Sequence, residues 1–306
     1  MADSVSISKI VRAVTDARAR HPAPRLCVVG RGDGLARVVG VLSAGATDER
    51  GGVSSAVDAL DPSDFPREPR LASRWDIVVV AAAGLPAAEA APVVHAARRG
   101  GADVIGLVEG PGADLWIRSA GLFDDEVARG LGPDAEGRPT LEHRIVALAG
   151  DSAGALAASL PSVRRTYCDH VVIANAAQNG VIGAVVIIPG ADMPAMTANQ
   201  IRMVLKIAHA YGEDLGLDRA LEILSVVGTG FVLRMLARQA LDFVPWFGWA
   251  VKGAVGFSGT VALGQAAIAY FEAGAPLRVS RMQRINRQVE RLTSRIPGPL
   301  KRLGTG

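Results

Sequence analysis

Two stretches of this chain carry no charged side chain over lengths that an ordinary amphipathic surface helix does not sustain. Val171–Ala191 runs for 21 residues and Gly253–Phe271 for 19. A helix without a charged face has no side to offer water, so it is buried in a packed bundle or in a bilayer. Either stretch is long enough to span. In the first, Asn175, Gln178 and Asn179 interrupt the apolar character and Pro189-Gly190 cuts the stretch short, which favours a bundle. Small residues recur every four positions: Ala176, Gly180 and Ala184 in one stretch, Ala250, Ala254, Ser258, Ala262 and Ala266 around the other. Such stripes predict close helix–helix contact, within the chain or with a partner or second copy.

These stretches belong to a helical half that begins near Thr140. Ile145, Ala149, Ser152, Leu156 and Leu160 recur at helical spacing. Further helices are expected over about Arg165–Ile188, Asp192–Tyr211, Asp218–Leu241 and Trp246–Glu272. Ile188-Pro189-Gly190-Ala191-Asp192 makes a turn, with Asp192 as cap and Pro194 in the first turn of the next helix.

The first half reads differently. Arg25–Gly30, Asp76–Ala83 and Asp103–Val108 are nearly continuous apolar runs, as strands of a parallel sheet buried on both faces would be. A helix over Pro86–Arg99, stopped by Gly100-Gly101, joins the last two into a βαβ unit. Ala44–Arg74 is turn-rich and leaves room for one edge strand. Asp124-Asp125-Glu126 reads as a solvated helix start. Gly130–Pro139 is the expected domain boundary. The fold class is thus α/β with a small parallel sheet, followed by an all-α domain. The layout is an amphipathic helix over 1–21, the α/β domain over 22–135, the helical domain over 140–275 and a basic tail over 276–306.

Charge separates the tail from the body. Leu277–Leu303 holds eight lysines and arginines against Glu290, a local +7, so the net +3 of the chain leaves −4 elsewhere. Met282, Ile285, Val289, Leu292 and Ile296 line one side of the tail, a basic amphipathic pattern suited to an anionic membrane surface or an acidic partner. No aromatic residue is interleaved for base stacking, which disfavours nucleic acid. Cys27 and Cys168 sit in apolar runs and read as core side chains in a reducing compartment. The first residues lack the basic start and apolar run of a signal peptide. The expected location is the cytoplasmic side of a membrane, with a soluble cytoplasmic protein as the alternative.

Several segments carry a family likeness. Gln178–Gly212 (QNGVIGAVVIIPGADMPAMTANQIRMVLKIAHAYG), Val227–Gln239, Val244–Val255 and Ala262–Glu272 follow one another in an order that resembles the helical YcjF-type family. Its motif positions here are Pro189, Gly190, Asp192, Asn199, Gln200, Tyr211 and Gly264. The resemblance implies a membrane-linked, GTPase-associated module of uncharacterised biochemical role, which brings no catalytic residues.

A GTPase-like domain often precedes that module. It would place G-x-x-x-x-G-K-[ST] after the first strand, where backbone N–H groups and the lysine hold phosphates and the hydroxyl holds Mg²⁺. The loop here is Gly30-Arg31-Gly32-Asp33-Gly34-Leu35-Ala36-Arg37. Gly30 and Gly34 outline a phosphate loop, but the lysine and the hydroxyl are missing, and Arg37 or Arg31 would have to replace the lysine. Of the guanine-reading Asn-Lys-x-Asp only Asp114 has a counterpart. The first half therefore reads as a degenerate, non-catalytic GTPase-like domain, with no catalytic residue, cofactor or metal expected. A divergent GTP- or ATP-binding protein with weak hydrolase activity is the alternative.

Two motifs compete. Gly30-x-Gly32-x-Gly34 lacks the last glycine of a dinucleotide fingerprint, where Leu35 stands. Gly150-Asp151-Ser152-Ala153-Gly154 spells the G-x-S-x-G of a serine esterase. Such an enzyme needs a strand before Ser152 and a histidine after it, yet His170 and His209 both fall in expected helices. The five histidines show no metal-ligand spacing.

Overall fold

The computed structural model describes residues 21–46, 57–110, 112–131, 140–185, 193–213 and 248–274. Strands and helices alternate first: β1 Leu26–Val29, α1 Gly32–Leu42, β2 Val57–Leu60, α2 Pro69–Ala72, β3 Ile77–Ala81, α3 Ala87–Arg99, β4 Asp103–Val108, α4 Ala113–Ser119 and β5 Val127–Arg129. Helices follow: α5 Leu141–Ala149, α6 Ala153–Ser159, α7 Pro161–Val185, α8 Met193–Ala210 and α9 Gly248–Glu272. The α/β region with its parallel sheet, and the helical region after it, are thus both present.

The five strands are parallel in the order β2-β1-β3-β4-β5. Strands β1 and β3 are buried at every residue and β4 at all but Asp103, which is why they read as unbroken apolar runs. Edge strand β2 is half exposed. It needs few apolar residues, so it hides in a turn-rich segment. Trp75 anchors the core beside it, stacked on Phe65 at 5.2 Å, with its indole N–H donated to Asp58 at 2.6 Å.

Two compact units are present, Met1–Ala267 and Ile268–Gly306. Within the first, α5 packs against β3, β4 and β5. Its Arg144 donates to the carbonyls of Val127 and Asp124, at 3.1 and 3.3 Å. The first helix of the helical half is therefore a covering helix of the sheet. Ser162 on α7 likewise donates to the Leu42 carbonyl at the end of α1, at 2.8 Å.

Three expectations need correction. The periodic run from Ile145 to Leu160 is not one helix: Gly150, at φ 50° and ψ −121°, breaks it into α5, a 3-10 turn at Gly150–Ser152, and α6. Positive φ there is open to glycine at low cost. Asp124–Glu126 is a 3-10 turn, not a helix start, and Glu126 pairs with Arg98. The third concerns α9. Its Ala254 and Ser258 are exposed, and the face it turns to α7 carries Gly253, Gly256, Thr260 and Gly264. A side chain at Gly264 would lie 2.7 Å from Val172 Cγ1. The stripe on α7 is placed as expected: Ala176 is buried, and Gly180 and Ala184 abut Gly253.

Polar groups tie these helices. Buried Asn179 donates to Thr260 Oγ1 at 2.8 Å and accepts from Asn199 of α8 at 2.9 Å. Asn199 also donates to the Asn175 carbonyl at 3.0 Å. Helices α7 and α8 match their expected spans to within a turn. The expected helices over 1–21 and Asp218–Leu241, the tail over 276–306, and the turn holding Pro189, Gly190 and Asp192 lie outside the described residues.

Candidate functional site

In a doubly wound sheet ligands bind beyond the carboxyl ends of the strands, where the strand order reverses. Here that point lies between β1 and β3, since the chain leaves β1 toward β2 on one side and returns to β3 on the other. The loop after β1 holds the sequence-predicted residues Gly30, Gly34 and Arg37. Gly30 closes the strand, and its N–H donates to the Leu60 carbonyl at 3.2 Å.

Gly34 lies in the first turn of α1, pressed onto the loop after β3. A side chain there would overlap the Ala83 carbonyl oxygen and stand 3.0 Å from Ala83 Cβ. The glycine therefore serves close approach of two backbones, helix α1 and the β3–α3 loop. That packing role is one a phosphate loop does not require.

Both arginines of the loop are engaged by carboxylates of the same chain. Arg31 makes a two-pronged pair with Glu89 in the first turn of α3, at 3.2 and 2.6 Å, and lies 3.5 Å from Asp61 just past β2. Hydrogen bonding to Glu89, then its charge, raises the Arg31 pKa further. Asp61 is held below the usual carboxylate range by the Ser63 backbone N–H and hydroxyl, with Arg31 adding to it. Arg37 pairs with Glu109, the residue after β4. Among the described residues three carboxylates thus pair with the two guanidiniums, one more acid than base, and Asp33 stands in the first turn of α1.

Beside it, a cavity of about 250 Å³ opens between the ends of β3 and β4, lined by Arg37, Ala82, Ala83, Glu109 and Trp116 among others. Asp114, the remaining guanine-reading position, sits in the first turn of α4 and pairs with Arg129 at 3.0 Å. Each group the sequence offered for nucleotide contact is thus partnered internally. Sequence reasoning found the arginines and missed Asp61, Glu89 and Glu109. For Asp61 and Glu109 the signal was position: each directly follows a strand, β2 or β4, at the carboxyl end of the sheet where a ligand would lie.

The helical residues that carry the family likeness lie in the packing of the helices. Asn199 and Gly264 hold α7, α8 and α9 together as described above, Gln200 is half-buried, and Arg164 lies 5.0 Å over the Tyr211 ring. Ser152 lies on the 3-10 turn, with helix α5 leading into it. It does not line the cavity that His170 and His209 share, so the esterase geometry is not formed. Among the described residues no group of three or more His, Cys, Asp or Glu could hold a metal ion. No family model, curated protein or solved structure matches this chain.

Proposed function

We propose that this is a non-catalytic protein that joins a degenerate GTPase-like module to a helical region which associates with a membrane surface or a partner protein. One observation carries the first part: Arg31 and Arg37, the cations that would have to replace the phosphate-binding lysine, are bound by Glu89, Asp61 and Glu109. A nucleoside triphosphate would have to displace those carboxylates and meet Asp33 as well, and Arg37 stands where the hydroxyl that holds Mg²⁺ would be. Titration calorimetry of the full chain with GTP and with GDP, each with Mg²⁺, tests the reading. No binding is expected, and micromolar or tighter binding of either would overturn it.

The second part is supported by Gly253–Glu272 of α9, which by length and composition could cross a membrane and is only 39% buried. The basic amphipathic pattern of the tail supports surface association. Fractionation into soluble, salt-extractable and detergent-extractable pools separates the cases. Recovery entirely in the soluble pool, with no co-purifying protein, would reject this part.

A further inference from the structure

We propose that α7 and α9 together present a lipid-docking face that lies side-on in the interface of a bilayer. This gives the membrane association proposed above its surface, and it rests on that reading.

Each of the two helices leaves one row of side chains uncovered. On α7, Ile173, Ala177 and Val181 are exposed at four-residue spacing, hence on one face. Ile173 is 52% and Val181 62% exposed. On α9, Ala254, Phe257 and Ser258 are exposed and Val261 is half-buried, again on one face. The seam between the helices sets the rows side by side. A side chain at Gly180, next to Val181, would stand 3.3 Å from Phe257 Cβ, and one at Gly253, next to Ala254, 3.2 Å from Ala184 Cβ.

Helix α8 fixes which way both rows look. Its Asn199 is bonded to Asn175 and Asn179 of α7, and its Met196 Cε would stand 3.0 Å from a side chain at Gly256 of α9. At about 3.6 residues per turn, positions two apart lie on nearly opposite sides of a helix. Ile173 is two before Asn175, and Ser258 is two after Gly256. Both rows therefore face away from α8, and the buried amides lie behind them.

The chemistry of this face selects lipid over protein. From Val171 to Val185 and from Gly253 to Ala267 neither helix carries a charged side chain or a histidine. Ser258 has the one hydroxyl of the two rows, and it donates to the Val255 carbonyl of its own helix at 3.5 Å. A protein interface carries about one hydrogen bond per 100–200 Å² and a polar rim. The side chains of these rows can supply neither. Charge returns only at the ends of the rows. Arg165 and Asp169 of α7 both bond Gln265 of α9, at 2.8 and 2.9 Å, and Lys252 precedes the charge-free run of α9. An apolar face bordered by charge is the plan of an interfacial helix, with the border at headgroup level. Beyond α9 the chain continues into Leu277–Leu303, with its local +7. A second copy would bring a second such tail and be repelled, whereas an anionic bilayer attracts it.

The test uses the full chain with vesicles of phosphatidylcholine and phosphatidylglycerol at low and high salt, since salt screens the tail but not apolar burial. The Ile173→Glu, Val181→Glu variant changes two exposed side chains, and Leu115→Glu on α4, 70% exposed, is the control. At high salt, vesicle binding is expected to weaken about tenfold or more in the face variant and to be unchanged in the control. Should the face variant unfold, Val181→Cys carrying an environment-sensitive fluorophore gives a second reading. Cys27 and Cys168 are buried, so the label goes to the new thiol. Its emission should shift to the blue with vesicles, and that of a Leu71→Cys label should not. Binding that the face variant keeps, with the label at 181 still in water, overturns the proposal and leaves membrane association to another surface. Parent binding lost at high salt assigns it to the tail and overturns the face in the same way. A parent that binds no vesicle overturns both the face and the membrane reading. A dimer in vesicle-free solution that the face variant abolishes assigns the face to a second copy and also overturns the proposal.

Discussion

Arg31 and Glu89 meet through two N–H···O bonds, Nη1 to Oε1 at 3.2 Å and Nη2 to Oε2 at 2.6 Å, across the carboxyl end of the sheet. The pairing is that of a guanidinium with a phosphate, with the carboxylate in the phosphate's place. Both side chains are 43% exposed, and exposed pairs contribute little to stability. The Glu89→Gln, Glu109→Gln double variant is therefore expected to melt with the parent. With Arg37 released and only Asp61 left beside Arg31, the arginines should give the loop a weak, salt-sensitive affinity for tripolyphosphate that the parent lacks. Calorimetry at low and high salt checks this. A variant as inert as the parent would mean that the Gly34–Ala83 contact, and not the carboxylates, keeps anions out.

Gly264 of α9 packs directly against Val172 of α7. A methyl group at Gly264 has nowhere to go, and overpacking of this kind costs about 1–3 kcal/mol. Gly264→Ala should be destabilised by that amount in urea unfolding. Val172→Ala should lose stability alone but rescue part of the loss in the double variant, because the two changes share one space. Strict additivity would show that the helices do not meet there.

Asn179 stands between Thr260 and Asn199, its amide N–H donating to Thr260 and its oxygen accepting from the Asn199 amide. Asn179→Leu removes both bonds while keeping the volume. It should cost about 1–3 kcal/mol for each buried group it strands, read as a shift of the unfolding midpoint. A neutral effect would place water in this layer.

Cys27 lies fully buried in β1. Burial, reinforced by Asp58 and opposed by Arg74, pushes its thiol up to about 12 from 9.0. Native protein should resist alkylation at pH 8 and react on unfolding. Below pH 9 the thiol is protonated in both states. Between about 9 and 12 the unfolded chain ionises and the folded chain does not, so stability should fall as pH rises through that window. A Cys27→Ala variant should show less of this slope, and an unchanged slope would assign it to other groups.

The parts of the fold that showed in the sequence are those where one local rule decides the outcome. Runs such as Ile77–Ala81 can be nothing but central strands, because burial on both faces removes the polar positions that would blur the pattern. Strand β2 was harder, since its outer face is wet and Asp58 serves Trp75. The break at Gly150 escaped because apolar periodicity persists across it, and only the backbone angle of one residue interrupts the helix. The contact face of α9 was misjudged for a related reason. Alanine and glycine are both small, but the helix turns its glycines, not its alanines, toward α7. At the crevice, the arginines were visible as departures from a known loop. Their carboxylate partners lie 58 and 72 residues away, and only the sheet order brings them near.

The Asn179–Thr260 bond has a consequence for how the helical region could meet a lipid phase. In hydrocarbon an amide left without a partner has no water to turn to. Helix α9 cannot depart into a bilayer by itself without stranding the amide of Asn179 on α7, which is itself bonded to Asn199 on α8. Any passage into lipid would have to carry the three helices as a set, their amides still facing one another. Membrane entry would then be a collective event of the bundle and not the release of a single apolar segment.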